Sequence, residues 1–233
     1  LKVVHSQAID AQMSVFADDA ATLVKDEYPS DVVVWESTVT GLRYASVSFA
    51  GASAGATYTL YFNDLGEDDY PNAIIDAPTA LTLSAPILGD IQFEFDSDAF
   101  AFHGLGGRIY RLDFSLGTLS DGSFSIYDAD LVTYLSLGYP DIPILVKTVG
   151  AGDFPVLVTP STGNWRGFVG TYTVALSDVG TDDHGDALDV ATPLVVGGNA
   201  IDGNMQFYND QDWFSFPVVR GHIYMSNVDL GTL

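Results

Sequence analysis

The chain has 233 residues and a formal net charge of −23, with 31 Asp plus Glu against 8 Lys plus Arg and no Cys. That balance disfavours nucleic acid and anionic membrane surfaces, both of which need basic patches. The missing thiols exclude disulfides, thiolate catalysis and zinc–thiolate centres together. With 47% hydrophobic and 12% aromatic residues, the chain can bury a core and does not read as a disordered acidic tail.

The sequence opens at Leu1 with neither an initiator Met nor a signal-peptide pattern, so it reads as a piece of something longer. No apolar run approaches the ~20 residues that span a bilayer. The first stretch, "SQAIDAQMSVFADDAATLVKD", carries helix-friendly alanines. Its later counterpart, "GSFSIYDADLVTYLS", alternates Phe124, Ile126 and β-branched residues, so both are read as strand. Further strands are predicted at Val32–Trp35, Arg43–Phe49, Thr57–Phe62, Ile91–Phe95, Ala99–His103, Ile109–Phe114 and Ser123–Asp128. Others follow at Ile144–Val149, Phe154–Val158, Gly170–Leu176, Gln206–Tyr208, Trp213–Pro217 and His222–Val228. Gly, Pro, Asn and Asp punctuate them, and no strand–helix alternation is visible, so a parallel nucleotide-binding sheet is not expected.

An internal repeat organises these strands. "TYTLYFNDLGEDD" from Thr57 returns as "TYTVALSDVGTDD" from Thr171, an offset of 114 positions. At the same offset "QFEFDSDAFAF" lies on "QFYNDQDWFSF", "GRIY" on "GHIY", and "LGTL" on "LGTL", giving 24 identities in 63 positions. Upstream, "SVFADD" lies on "SIYDAD" and Tyr28 on Tyr139 at an offset of 111. The expected organisation is the back half of one unit over 1–66, a whole unit over 67–180, and the front half of a third over 181–233. About eight short strands per unit fit an all-β chain of tandem β-sandwich, or jelly-roll-like, modules.

"DQDWFSF", at 210–216, poses the chemical question. Asp210 and Asp212 could be catalytic, could ligate a metal, or could only solvate the entrance to a strand. The acids are lopsided: 27 of the 31 are Asp, and short carboxylates in loops suit Ca²⁺ coordination, although a salt-adapted surface gives the same bias.

The order of elements in one unit carries a resemblance. An acidic cluster ("TDDHGDALDVATPL") precedes a Gly-containing strand ("IDGNMQF"), then "DQDWFSF" and "GHIY"; "FSIYDAD" and a closing "GTYTVALSDVG" follow in the back half. This resembles the bacterial pre-peptidase C-terminal domain, a β-sandwich module of secreted bacterial and archaeal proteins related to the collagen-binding domains of clostridial collagenases. The resemblance spans nearly the whole chain. It implies a non-catalytic accessory fold, often a Ca²⁺ binder, with ligands from the acidic segment before the first strand and from the D-x-D turn. Those positions are Glu67, Asp68, Asp69 and Asn72 with Asp96 and Asp98 in one unit, and Asp182, Asp183 and Asp186 with Asp210 and Asp212 in the next. Thr181 stands opposite Glu67 and Asp186 opposite Asn72, so the two sites are expected to differ in strength, or one to be empty.

None of His5, His103, His184 and His222 recurs between copies, so they are expected to be solvated or loop residues rather than parts of a triad or metal site. "HGLGG" lies on "PVVRG" and reads as a turn. Phe100, Phe102, Tyr110 and their counterparts Phe214, Phe216 and Tyr224 are expected in the core. Trp213 and Trp165 do not recur and are candidates for surface contacts specific to one unit.

The expected function is that of a non-catalytic, calcium-stabilised repeat of a large extracellular or cell-surface structural or adhesive protein, bacterial or archaeal. Neighbouring repeats or identical subunits would meet it head to tail and could build a filament. The alternative is an accessory domain directing a secreted peptidase to protein or polysaccharide.

Overall fold

A computed structural model describes residues 2–5, 11–27, 33–49, 57–93, 96–163, 166–207 and 209–230. Val32, Glu94, Phe95, Tyr208 and Trp165, each part of an expectation above, lie outside the described residues, as do Tyr28 and the closing Gly231–Leu233.

The strands are β1 (Lys2–His5), β2 (Ala11–Phe16), β3 (Leu23–Glu27), β4 (Tyr44–Phe49), β5 (Tyr58–Tyr61), β6 (Thr79–Ala80), β7 (Ile87–Ile91), β8 (Asp98–Gly104) and β9 (Arg108–Leu116). They continue with β10 (Gly122–Tyr127), β11 (Tyr134–Gly138), β12 (Ile144–Lys147), β13 (Gly152–Pro160), β14 (Thr162–Gly163), β15 (Arg166–Gly167), β16 (Gly170–Thr181), β17 (Thr192–Pro193) and β18 (Phe214–Ser215). The only helix among the described residues is a 3₁₀ turn at Leu188–Val190. The described part of the stretch with helix-friendly alanines, from residue 11 on, is a hairpin, β2–β3, as its repeat counterpart requires.

A five-stranded sheet, β11-β10-β13-β8-β6, faces a four-stranded sheet, β12-β9-β16-β7. Alternation builds the core between them. In β10 Phe124 and Ile126 are buried while Ser123 and Ser125 are less so. Phe100, Phe102, Tyr110, Phe114, Phe124, Phe154 and Tyr172 are all at most 2% exposed, and each fully buried Phe contributes about 1.5–3 kcal/mol of apolar transfer. Phe114 sits 5.6 Å from both the Phe124 and the Tyr172 ring, so one aromatic joins the two sheets.

Two of these rings lie across a glycine on the adjacent strand. A Cβ on Gly138 would stand 2.1 Å from the Phe124 ring, and one on Gly89 would stand 2.3 Å from Tyr172. Gly138→Ala is therefore expected to lower stability by about 1–3 kcal/mol, the usual cost of overpacking, in urea unfolding followed by tryptophan emission.

Ahead of this sandwich, β3-β2-β4 form a smaller sheet whose hydrogen bonding repeats that of β11-β10-β13. Met13 pairs with Val47 and Glu27, as Phe124 pairs with Val158 and Gly138, and both hairpins are irregular at the matching step, Val15/Phe16 and Ile126/Tyr127. The hairpin turns match in side chains too. Asp19 accepts from the amides of Ala21 and Thr22 and from the Thr22 hydroxyl, and Asp130 does the same with Val132 and Thr133. Met13, Val15 and Val33 are buried, with Trp35 and Val47 packed against them.

Beyond Thr181 the described chain has few strands. β17 pairs in parallel with β18, as β6 does with β8. Three expectations are corrected here. His222–Val228 is not a strand, Phe207 is not in one, and Trp213–Pro217 shortens to Phe214–Ser215. Phe216 and Tyr224 are 51% and 37% exposed instead of core. The cause is pairing. Their counterparts on β8 and β9 are hydrogen-bonded on both edges, β9 by β12 and β16, and no such strands flank 222–228 among the described residues. Val33–Trp35, the counterpart of β12, is likewise not in a strand.

Candidate metal centre

The site begins with a turn. The Asp96 amide donates to the Phe93 carbonyl at 3.2 Å, and Asp96 Oδ2 accepts from the Gln92 amide at 2.7 Å, which folds the D-x-D segment back on the end of β7. Asp98 opens β8. The acidic segment before β6 is pinned against this turn: the Ala99 amide donates to the Pro71 carbonyl at 2.7 Å, and the Ser97 amide to Asn72 Oδ1 at 2.9 Å. Tyr70 fixes the segment on the core, its ring 4.7 Å from Phe100 and its hydroxyl donating to the Leu88 carbonyl at 3.0 Å.

The result is a cluster in which Asp68, Asp96 and Asp98 present carboxylate oxygens within 4.8 Å of one another. Asp96 and Asp98 are fully buried. Oδ1 of all three has no hydrogen-bond partner. Burial, reinforced by neighbouring acids, raises the pKa of Asp96 to about 7 and that of Asp98 to about 8. The Tyr172 hydroxyl, brought across Gly89, donates to Asp98 Oδ2 and fixes that carboxylate. Buried negative charges with unpaired oxygens are costly unless a cation joins them, and an all-oxygen donor set at this spacing suits a hard divalent ion such as Ca²⁺.

The construction recurs 114 positions on. The Asn204 amide donates to Asp183 as that of Asp90 does to Asp69, both at 2.9 Å. The Gln206 amide donates to Asp210 as that of Gln92 does to Asp96. The Trp213 amide donates to the Gly185 carbonyl, as that of Ala99 does to Pro71. Asp182, Asp210 and Asp212 again converge within 4.8 Å, and Oδ1 of each, with that of Asp186, lacks a partner. Burial and the surrounding acids raise the pKa of Asp210 and Asp212 as well.

Not every sequence-predicted ligand points into a cluster. Glu67 is exposed and contributes its backbone carbonyl to Gln92 Nε2 instead. Asp69 and Asp183 brace the following strand segment through its amides. Asn72 donates its amino group to Asp68 Oδ2 at 2.7 Å while its Oδ1 takes the Ser97 amide, so it positions Asp68. Asp186 binds Lys147, whose ammonium lies 2.5 Å from both Asp182 and Asp186. Burial works against that ammonium, but the hydrogen bonds it donates to Asp182 and Asp186 outweigh it and raise its pKa. Glu36, Lys147 and Tyr172 were missed from the sequence. They belong to other units or strands, and only the 111-residue alignment of Glu36 with Lys147 could have flagged the first two.

His184 is a loop residue, one of the two expected placements, but it is not solvated, being 9% exposed. Its ring packs on Phe214 at 4.6 Å, and Nε2 lies 3.0 Å from the Asp202 carbonyl, with Nδ1 3.0 Å from the Thr192 hydroxyl. Tyr70 does the same work one unit earlier, so the proximity of His184 to Asp183 and Asp212 reflects packing, and both ring nitrogens are already engaged. His103 pairs with Asp153 at 2.8 Å on the surface. A groove of about 610 Å³ beside β11, β12 and residues 205–207 is lined by Tyr134, Leu137, Ile144, Met205 and Phe207 among others, and among the described residues no acid or histidine lines it.

Fold and site together define an all-β sandwich chain carrying two equivalent acid clusters. No protein-family model matches the chain, and no curated protein matches it. Among solved structures it is similar to PliG, a periplasmic lysozyme inhibitor of g-type lysozyme from Aeromonas hydrophila, at 11% identity over 43% of this chain and 95% of that one, with a TM-score of 0.36. It is also similar to the pre-peptidase C-terminal domain of collagenase from Bacillus anthracis, at 14% identity over 47% of this chain and all of that one, with a TM-score of 0.35.

Proposed function

We propose that the chain is a non-catalytic, calcium-stabilised run of β-sandwich modules from a secreted or cell-surface structural protein. The observation that carries this is the recurrence, one unit apart, of three convergent Asp residues with unpartnered buried oxygens. Catalytic use of Asp96 and Asp98 would require substrate access, and both are sealed from solvent. The metal serves as a staple, tying the acidic segment that enters a unit to the turn that opens β8. Extracellular modules bind calcium at roughly 10⁻⁴–10⁻³ M, so such a site fills outside a cell.

The apolar surface of 214–230, including Phe216, Ile223 and Met225, fits head-to-tail continuation. In the complete unit the matching face is covered by β13, β12 and β16. A neighbouring repeat, or a second copy supplying its β2–β5 region, would cover this one.

Thermal unfolding in 10 mM Ca²⁺ against EDTA tests the reading. Calcium at about tenfold its Kd adds about 1.4 kcal/mol per site and raises Tm by several degrees. An unchanged Tm at millimolar calcium would remove the metal from this account.

A further inference from the structure

The two clusters differ in burial and in several neighbours, and one of the differences comes from the unit before each. At the first, Glu36 reaches across the junction: its Oε2 accepts from Asn72 Nδ2 at 3.0 Å, and the same amino group donates to Asp68. At the second, Lys147 reaches across: its Nζ donates to Asp182, the counterpart of Asp68, and to Asp186, the counterpart of Asn72. Glu36 and Lys147 occupy equivalent positions, because Val33 and Trp35 pack on the Met13 core as Ile144 and Val146 join the Phe124 core. Donor and acceptor have thus exchanged sides. One junction presents an extra carboxylate to its Asp cluster, and the other presents an ammonium.

We infer that this junction residue grades the two sites: Glu36 makes the Asp68–Asp96–Asp98 cluster the stronger divalent-cation site, and Lys147 makes the Asp182–Asp210–Asp212 cluster the weaker one. The inference rests on the calcium reading above and extends it to how the sites rank. Lys147 touches Asp182 directly and Glu36 stands one hydrogen bond from Asp68 through the Asn72 amide, so the two junction residues add fields of opposite sign at an incoming cation. Lys147 is held in place, with its side chain 18% exposed and its ammonium 5.6 Å from the Phe207 ring centre, so it does not swing away freely when calcium arrives. Asp182 Oδ2, which Lys147 engages, is lost to the metal until that ion pair breaks. The ranking is opposite to the one that Asn72 against Asp186 would suggest, since Asp186 is spent on Lys147. At the first junction the cross-unit contact is the Glu36–Asn72 hydrogen bond beside the metal, whereas at the second the Lys147 ion pair ties the central sandwich to the 182–186 segment without any metal.

Calcium titration of the 233-residue chain by isothermal calorimetry tests this. The wild type should show one stronger class and one weaker or undetectable class. Lys147→Gln should strengthen the weaker class about tenfold or more, the weight of at least one charged contact. Lys147→Arg should leave it weak, and Glu36→Gln should weaken only the stronger class by a similar factor. Melting in EDTA checks that the variants fold, and the exposed Glu36 supplies an arm independent of the Lys147 ion pair. Two equal classes in the wild type, or a weaker class that Lys147→Gln leaves unmoved, would overturn the grading while leaving calcium binding intact. No heat from any variant at millimolar calcium is a different result and would remove the calcium reading and the grading together.

Discussion

Asp98→Asn is expected to make the calcium-free chain more stable and to reduce its response to calcium. Asp98 is fully buried, its Oδ1 is unpartnered, and burial lifts its pKa to about 8 from an ordinary 3.8. In the unfolded chain it ionises near the ordinary value; in the folded chain it stays protonated to about 8. Across that window the folded state holds one proton more, so stability falls as pH rises, and below the window both states are protonated and no penalty exists. At pH 8 the accumulated loss is on the order of 3–5 kcal/mol, and the amide, which cannot ionise, recovers about 2 kcal/mol or more of it. An Asn oxygen can still accept from the Tyr172 hydroxyl, so the packing survives. Calcium requires the ionised acid and acts in the opposite sense: its stabilisation grows with pH over the same window. Urea unfolding at pH 5 and pH 8, with EDTA or with calcium, should show a downward pH slope for the metal-free wild type. The slope should be shallower for Asp98→Asn and smallest for the calcium-loaded wild type. A variant less stable than wild type in EDTA at pH 8 would mean that the buried carboxyl is satisfied without a metal.

The fold was legible because the sequence states it more than once. β2 is ambiguous alone, and the alternation of Phe124 and Ile126 in its counterpart resolved it. The D-x-D turn was legible for the same reason: Asp96 and Asp210 hold the amide four positions back in both copies. Hydrogen bonds across unit junctions were not legible. Nothing in the immediate neighbourhood of Lys147 connects it to Asp182, 35 positions away, and a residue at the end of a strand reads as a solvated charge. That His184 lies in a loop was legible; its burial there was not, because the residue does not recur. His and Tyr share a flat ring with a polar tip, so His184 replaces Tyr70 on the same phenylalanine position and donates to the same carbonyl position. The strands after Thr181 were overpredicted because a repeat transfers sequence pattern but not hydrogen-bonding partners. Phe216 has the pattern of Phe102 without the neighbouring strand that buries it.

That contrast yields the second large effect. Phe102→Ala and Phe216→Ala are the same substitution at the same place in two copies, and they should behave oppositely. Phe102 is 1% exposed and its ring stacks on Phe154 at 5.4 Å, with Tyr110 at 5.1 Å. Its truncation leaves a cavity in the completed sandwich and should cost about 3–5 kcal/mol. Phe216 is 51% exposed in the single chain, so its loss should move unfolding of the dilute protein by less than about 1 kcal/mol. At high concentration the order should reverse for a different observable. If a second copy covers 214–230, Phe216 enters a core, and Phe216→Ala should abolish the concentration-dependent association of wild type seen in sedimentation velocity. Phe102→Ala, where it stays folded, should leave that association unchanged. Wild type that remains monomeric at every concentration would confine the covering strands to neighbouring repeats of one polypeptide. Burial decides the first comparison, and what comes to lie against the exposed edge decides the second.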